Sequence, residues 1–119
     1  MHNFKELKIW QESMSLAKEI FDSTKKFPTE EKYGLISQLN RAIVSVPSNI
    51  TEGAGRDSQK EFNHYLNIAL GSCFEIETQL ILANDFNYIS KEELQTLTEK
   101  VTKIQRMISR LKDSIKQPS

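Results

Sequence analysis

The chain has 119 residues, a length that suits one domain spanning residues 1–119 and that buries roughly two-thirds of its unfolded surface on folding. Lys and Arg number 16 and Asp and Glu number 16, so no global field draws the protein to nucleic acid or to a membrane. Cys73 is the single cysteine, which excludes an internal disulfide and suits a reducing compartment.

The start, Met1-His2-Asn3-Phe4-Lys5, lacks the apolar core of a signal peptide. The longest apolar run is Leu80 to Ala83, far short of the ~20 residues that cross a bilayer. A cytoplasmic protein with no membrane contact is expected.

Helix one is predicted over about residues 5–26. Its stripe is Leu7, Trp10, Met14, Ala17 and Phe21, spaced by threes and fours as one helical face requires. Ile9, Leu16, Ile20 and Phe27 form a second apolar set at another phase. Helix two is predicted over about residues 30–54, with Thr29 as N-cap and Glu30 and Glu31 at the positive end of the dipole. Its stripe is Ile36, Leu39, Ile43, Val46 and Ile50. Pro47 interrupts it by removing an N–H and crowding the Ile43 carbonyl, and because the stripe stays in register a kink is expected there. Gly53 and Gly55 supply the exit.

Helix three is predicted over about residues 59–87, opened by the capping box Ser58-Gln59-Lys60-Glu61. Its stripe is Phe62, Leu66, Ala69, Cys73, Ile76, Leu80 and Ala83, and a second set, Leu70, Phe74, Ile81 and Tyr88, lies about 110° around the helix. Helix four is predicted over about residues 91–116, opened by a second capping box, Ser90-Lys91-Glu92-Glu93. It carries Leu94, Leu97, Val101, Ile104, Ile108, Leu111 and Ile115. No segment alternates with period two, so the predicted fold is all-α: an antiparallel up-down four-helix bundle with helix two kinked at Pro47.

Catalytic patterns are absent. Gly53-Ala54-Gly55 follows no strand and is not a phosphate loop. Glu61-Phe62-Asn63-His64 supplies one Glu-x-x-His, where a di-iron bundle needs two, so no metal is expected. Cys73 lies on the seam, where a free thiol behaves as a small hydrophobe. Neither an enzyme nor a cofactor is expected.

Three features remain. Arg41, Ser45, Ser48 and Glu52 form a polar stripe on helix two, flanked by Gln38 and Asn49 and followed by Arg56. From it Arg41, Asn49, Glu52 and Arg56 are taken as a partner-binding surface, with Glu75 or Glu77 as candidate counter-ions for Arg41. The surplus apolar faces of helices one and three point to a homo-oligomer, with Leu70, Phe74 and Ile81 at the interface. The charge is also uneven along the chain. One lysine faces five carboxylates over residues 57–88, whereas seven basic residues face four acids over residues 89–119. Lys103, Arg106 and Arg110 share one side of helix four and form a candidate nucleic-acid strip, without aromatic residues of its own for base stacking.

Several blocks together resemble a known family. They are Phe4 through Trp10, Phe27-Pro28-Thr29-Glu30-Glu31-Lys32-Tyr33-Gly34-Leu35, Gln38-Leu39-Asn40-Arg41-Ala42, Val46-Pro47-Ser48-Asn49-Ile50-Thr51-Glu52-Gly53, and Ala69-Leu70-Gly71-Ser72 with Glu75 and Glu77. This pattern resembles the four-helix-bundle proteins encoded within 23S rRNA intervening sequences. The resemblance covers residues 4 to about 88, and the Pro-Ser-Asn block is its most specific part. It implies a bundle that assembles into a ring, a pentamer. A related branch comprises accessory proteins of diversity-generating retroelements, which are strongly basic barrels that bind nucleic acid. Zero net charge separates this chain from that branch. The resulting expectation is a non-enzymatic homo-oligomeric scaffold that holds RNA or a ribonucleoprotein. The alternative is a protein-binding adaptor without nucleic-acid contact.

Overall fold

The structure is a computed structural model describing residues 2–115, so the predicted last residue of helix four, at about 116, lies outside the described residues. A single 3-10 turn at Phe4–Glu6 leads into α1 (Lys8–Thr24), and a second at Thr29–Glu31 precedes α2 (Leu35–Ala54). Then follow α3 (Gln59–Asp85) and α4 (Lys91–Ile115). No strand occurs among the described residues.

Both capping serines act as their spacing predicts. Ser58 Oγ accepts the Glu61 N–H at 3.1 Å, and Ser90 Oγ accepts the Glu93 N–H at 3.0 Å. α3 ends on Asn87, whose φ of 64° turns the chain back so that the Tyr88 N–H reaches the Ala83 carbonyl at 2.8 Å. The start of helix two differs from expectation. Thr29, Glu30 and Glu31 form only the short turn, and the helix proper begins five residues beyond Glu30, at Leu35. Glu31 caps it from outside: one carboxylate oxygen accepts the Leu35 N–H at 3.1 Å and the other accepts the Tyr88 hydroxyl at 2.7 Å. The Tyr88 hydroxyl and then the Leu35 N–H hold the Glu31 carboxyl below the usual range. Pro47 lies within a continuous α2, buried on the side that meets α1.

Cross-helix bonds fix the directions. Gln38 meets Gln79 and Ser45 meets Ser72, so seven residues forward in α2 are seven residues back in α3, and the two run antiparallel. Lys103 pairs with Glu12 at 3.1 Å, Lys100 with Glu19, and Lys26 with Glu93 at 3.1 Å, which makes α1 and α4 antiparallel too. Each helix packs on its sequence neighbours, and α1 also meets α4, as in an up-down bundle. α3 is long and apolar enough to cross a membrane by length and composition, but 44% of that window is buried inside the bundle. It serves here as the core helix.

The helix-three stripe from Phe62 to Ala83 is buried throughout, as are Leu39, Ile43, Val46 and Ile50 of α2. Helix one reverses the expectation. Its buried face is Ile9, Ser13, Leu16, Ile20, Ser23 and Thr24, and Phe27 beyond it is buried as well. The set read as surplus is therefore core, and the set read as core lies at the rim, with Phe21 exposed. The reason is that small polar residues can sit in a seam when their hydroxyls find partners, on their own helix or across the seam. Ser13 donates to the Trp10 carbonyl at 2.9 Å, Thr24 donates to the Phe21 carbonyl at 2.7 Å, and Ser23 donates to the Glu93 carboxylate. Glu93 is thus committed to α1. Burial works against its charge, and the Ser23 and Lys26 donors still bring its carboxyl below the ordinary range.

α2 and α3 approach closely at Gly53. A Cβ there would stand 2.9 Å from Phe62 Cδ1 and from Tyr65 Cβ, and 3.3 Å from the Phe62 carbonyl oxygen. Alanine at position 53 gains roughly 1 kcal/mol in helix propensity but costs about 1–3 kcal/mol in overpacking. The expected result is a lower melting temperature for Gly53→Ala, measured by circular dichroism. An unchanged or higher value would mean that the two helices separate there without loss.

Candidate functional site between helices α2 and α3

The polar stripe of helix two does not act as one surface. Its N-terminal part leans towards α3 and lines a polar hollow of about 390 Å³ with walls of Gln38, Arg41, Ser45, Ser72, Glu75 and Gln79. On the floor, Ser45 Oγ and Ser72 Oγ lie 2.8 Å apart. Asn49 donates its amide to the Ser45 carbonyl at 2.8 Å and to Ser45 Oγ at 3.0 Å, so it holds the serine in place. Gln79 donates to Gln38 Oε1 at 3.4 Å, a long bond, and Gln79 Oε1 is buried without a partner. A buried amide oxygen with no donor is a cost of about 1–3 kcal/mol that a bound group could relieve.

Arg41 and Glu75 stand exposed on the two walls. Among the described residues neither makes an ion pair or a hydrogen bond. Glu77, the other candidate counter-ion, instead accepts from Gln105 of α4 at 2.8 Å. Arg41 also borders a neighbouring hollow with Tyr33, Val44 and Ser48, so it is reachable from both sides.

Glu52 and Arg56 form a separate cluster. They lie three to four helical turns from Arg41, roughly 16 Å for Glu52 at 1.5 Å per residue. Arg56 pairs with Glu52 at 3.1 Å, donates to the Tyr65 hydroxyl at 2.9 Å, and stacks its guanidinium over the Tyr65 ring at 5.1 Å. The Tyr65 hydroxyl, and then Glu52 and Glu61, favour the Arg56 charge against the cost of burial and raise its pKa. This cluster ties the end of α2 to α3. Of the four residues taken as one surface, Arg41 lines the hollow, Asn49 braces its floor through Ser45, and Glu52 and Arg56 belong to the junction.

Sequence reading missed Gln79 and Tyr65 as site residues. A signal for Gln79 existed: Gln38 and Ser45 are seven apart on α2, and Ser72 and Gln79 are seven apart on α3. Matching heptad pairs of small polar residues beside two apolar seams mark where antiparallel helices place side chains face to face.

Elsewhere, Lys103 of the basic strip is engaged by Glu12, while among the described residues Arg106 reaches only Thr102 of its own helix, at 3.5 Å. Arg106 and Arg110 border a hollow with Leu70 and Phe74 of α3, so the structure brings an aromatic ring to a strip that has none of its own. Of the expected interface residues, Phe74 and Ile81 are exposed, and Leu70 is half-buried against the core. Trp10, Met14, Ala17 and Phe21 of α1 line an apolar groove of about 420 Å³ with Ile43, Val44 and Pro47 of α2. Burial pushes the Cys73 thiol up to about 12, which leaves it protonated and unreactive at neutral pH. Among the described residues no group of three His, Cys, Asp or Glu side chains could hold a metal ion.

Architecture and register define an all-α protein of the antiparallel four-helix type. The chain belongs to the 23S rRNA-intervening sequence protein family, whose sequence model matches residues 5–110. A similar solved structure is that of a Bacteroides thetaiotaomicron protein of unknown function from the S23 ribosomal protein family. The two share 27% identity and superpose with a TM-score of 0.81, covering 87% of this chain and 97% of that one. No match is found among curated proteins.

Proposed function

We propose that this chain is a non-enzymatic homo-oligomeric scaffold of the cytoplasm that holds RNA or a ribonucleoprotein. The observation that carries the reading is a pair of apolar faces on opposite sides of one bundle. The α1–α2 side has a groove walled by Trp10, Met14 and Phe21. The α3 side nearest α4 has a ridge formed by Phe74, 52% exposed, and Ile81, 45% exposed. A groove and a ridge on the same chain mate head to tail, and such contacts close into a ring when the rotation permits. The family resemblance supports five copies. Arg106 and Arg110 would then lie at the rim of every interface, repeated around the axis.

A protein-binding adaptor is the second reading. It is favoured by the zero net charge and by the commitment of Lys100 and Lys103 to carboxylates of α1. Filter binding of a labelled single-stranded RNA at two salt concentrations separates the two. Backbone-driven binding weakens steeply with salt, and Arg106→Glu with Arg110→Glu should abolish it. Absence of binding at low salt, with the protein assembled, would favour the adaptor.

A further inference from the structure

We propose that the hollow between α2 and α3 binds a free α-amino acid in its zwitterionic form, with the carboxylate on Arg41 and the ammonium group on Glu75. This deepens the reading of Arg41 as a binding residue and is independent of subunit assembly. The charges of the hollow set the ligand class. A guanidinium and a carboxylate face one space of about 390 Å³, and neither pairs with the other or with any described neighbour. A ligand bearing one charge satisfies one wall and leaves the other unmatched, whereas a zwitterion satisfies both at once. The volume falls in the range of about 300–1,000 Å³ typical of small-molecule sites.

The floor gives a second, independent indication. Gln79 is 8% exposed, and its Oε1 has no hydrogen-bond partner. Rotation of that amide offers an acceptor to an incoming ammonium group, whose three N–H donors exceed what Glu75 alone can use. The Ser45–Ser72 hydroxyl pair and Gln38 add neutral donors and acceptors for a polar side chain. No aromatic ring lines the hollow, so a stacked nucleobase fits it less well.

The test uses the full chain labelled with nitrogen-15 and titrated to millimolar concentrations with L-glutamine, L-serine and glycine. Propionate and ethylamine serve as single-charge controls. The expected result is saturable shifts of α2 and α3 backbone amides for at least one zwitterion and for neither control. Arg41→Ala and Glu75→Gln should each weaken binding about tenfold or more while keeping the native helical spectrum, since both residues are exposed. Three outcomes would overturn the proposal: no saturable response to any amino acid, an equal response to propionate or ethylamine, or full binding by both variants. Solution mass, measured on the same samples, reports assembly separately, so loss of the ring and loss of the ligand site are distinguishable.

Discussion

Alanine at Leu39 lowers the stability of the fold by about 2–5 kcal/mol. Leu39 is 0% exposed, central in the face that α2 turns to the core, and it is among the largest fully buried side chains. Truncation removes its apolar transfer energy and leaves a cavity that neighbouring side chains fill only in part. Chemical denaturation should show a lower midpoint with an unchanged slope, because the surface exposed on unfolding hardly alters. A change under ~0.5 kcal/mol would mean that the bundle tolerates a void at its centre, contrary to close packing.

If the proposed assembly forms, Phe74→Glu should dissociate it into chains of 13.7 kDa while leaving each chain folded. The ring stands half out of the isolated bundle, so its replacement costs the monomer little. In the proposed assembly it would be buried in a neighbour's groove, where an unpaired carboxylate is expensive. Phe21→Glu, on the groove side, should act the same way. The head-to-tail geometry adds a sharper expectation. A Phe74→Glu chain keeps an intact groove, and a Phe21→Glu chain keeps an intact ridge. An equal mixture should therefore form a heterodimer and nothing larger. Recovery of the native mass, or failure of the two variants to associate, would contradict a groove-to-ridge contact.

Helix three was legible almost residue by residue. Its seam is an unbroken run of apolar spacings, and its start is a serine N-cap that accepts the Glu61 N–H. Helix one was misread because Ser13, Ser23 and Thr24 occupy its buried face, and their hydrogen bonds, local for Ser13 and Thr24 and to Glu93 of α4 for Ser23, cannot be seen in a pattern of apolar residues. The competing stripe, Leu7 to Phe21, has ideal spacing yet lines an open groove. The start of α2 was misplaced because Thr29 and the two following acids imitate a cap, while the real cap, Glu31, works through its side chain at Leu35 and is held by Tyr88, 57 residues away. The candidate site was half legible. Arg41, Ser45 and Asn49 stood out as polar residues on an amphipathic helix, whereas their opposite wall depends on how α2 and α3 slide past one another. That register is set by cross-helix pairs such as Gln38–Gln79, and local sequence does not encode it. The separation of Glu52 and Arg56 into their own cluster likewise follows from Tyr65, a partner on the next helix.

The most direct test is multi-angle light scattering of the native protein across a hundredfold range of micromolar concentrations. A scaffold built from groove-to-ridge contacts gives a discrete mass that is an integral multiple of 13.7 kDa, five copies by the family resemblance. A constant single-chain mass over the whole range would contradict it, because the apolar groove and the Phe74 ridge would then face solvent permanently.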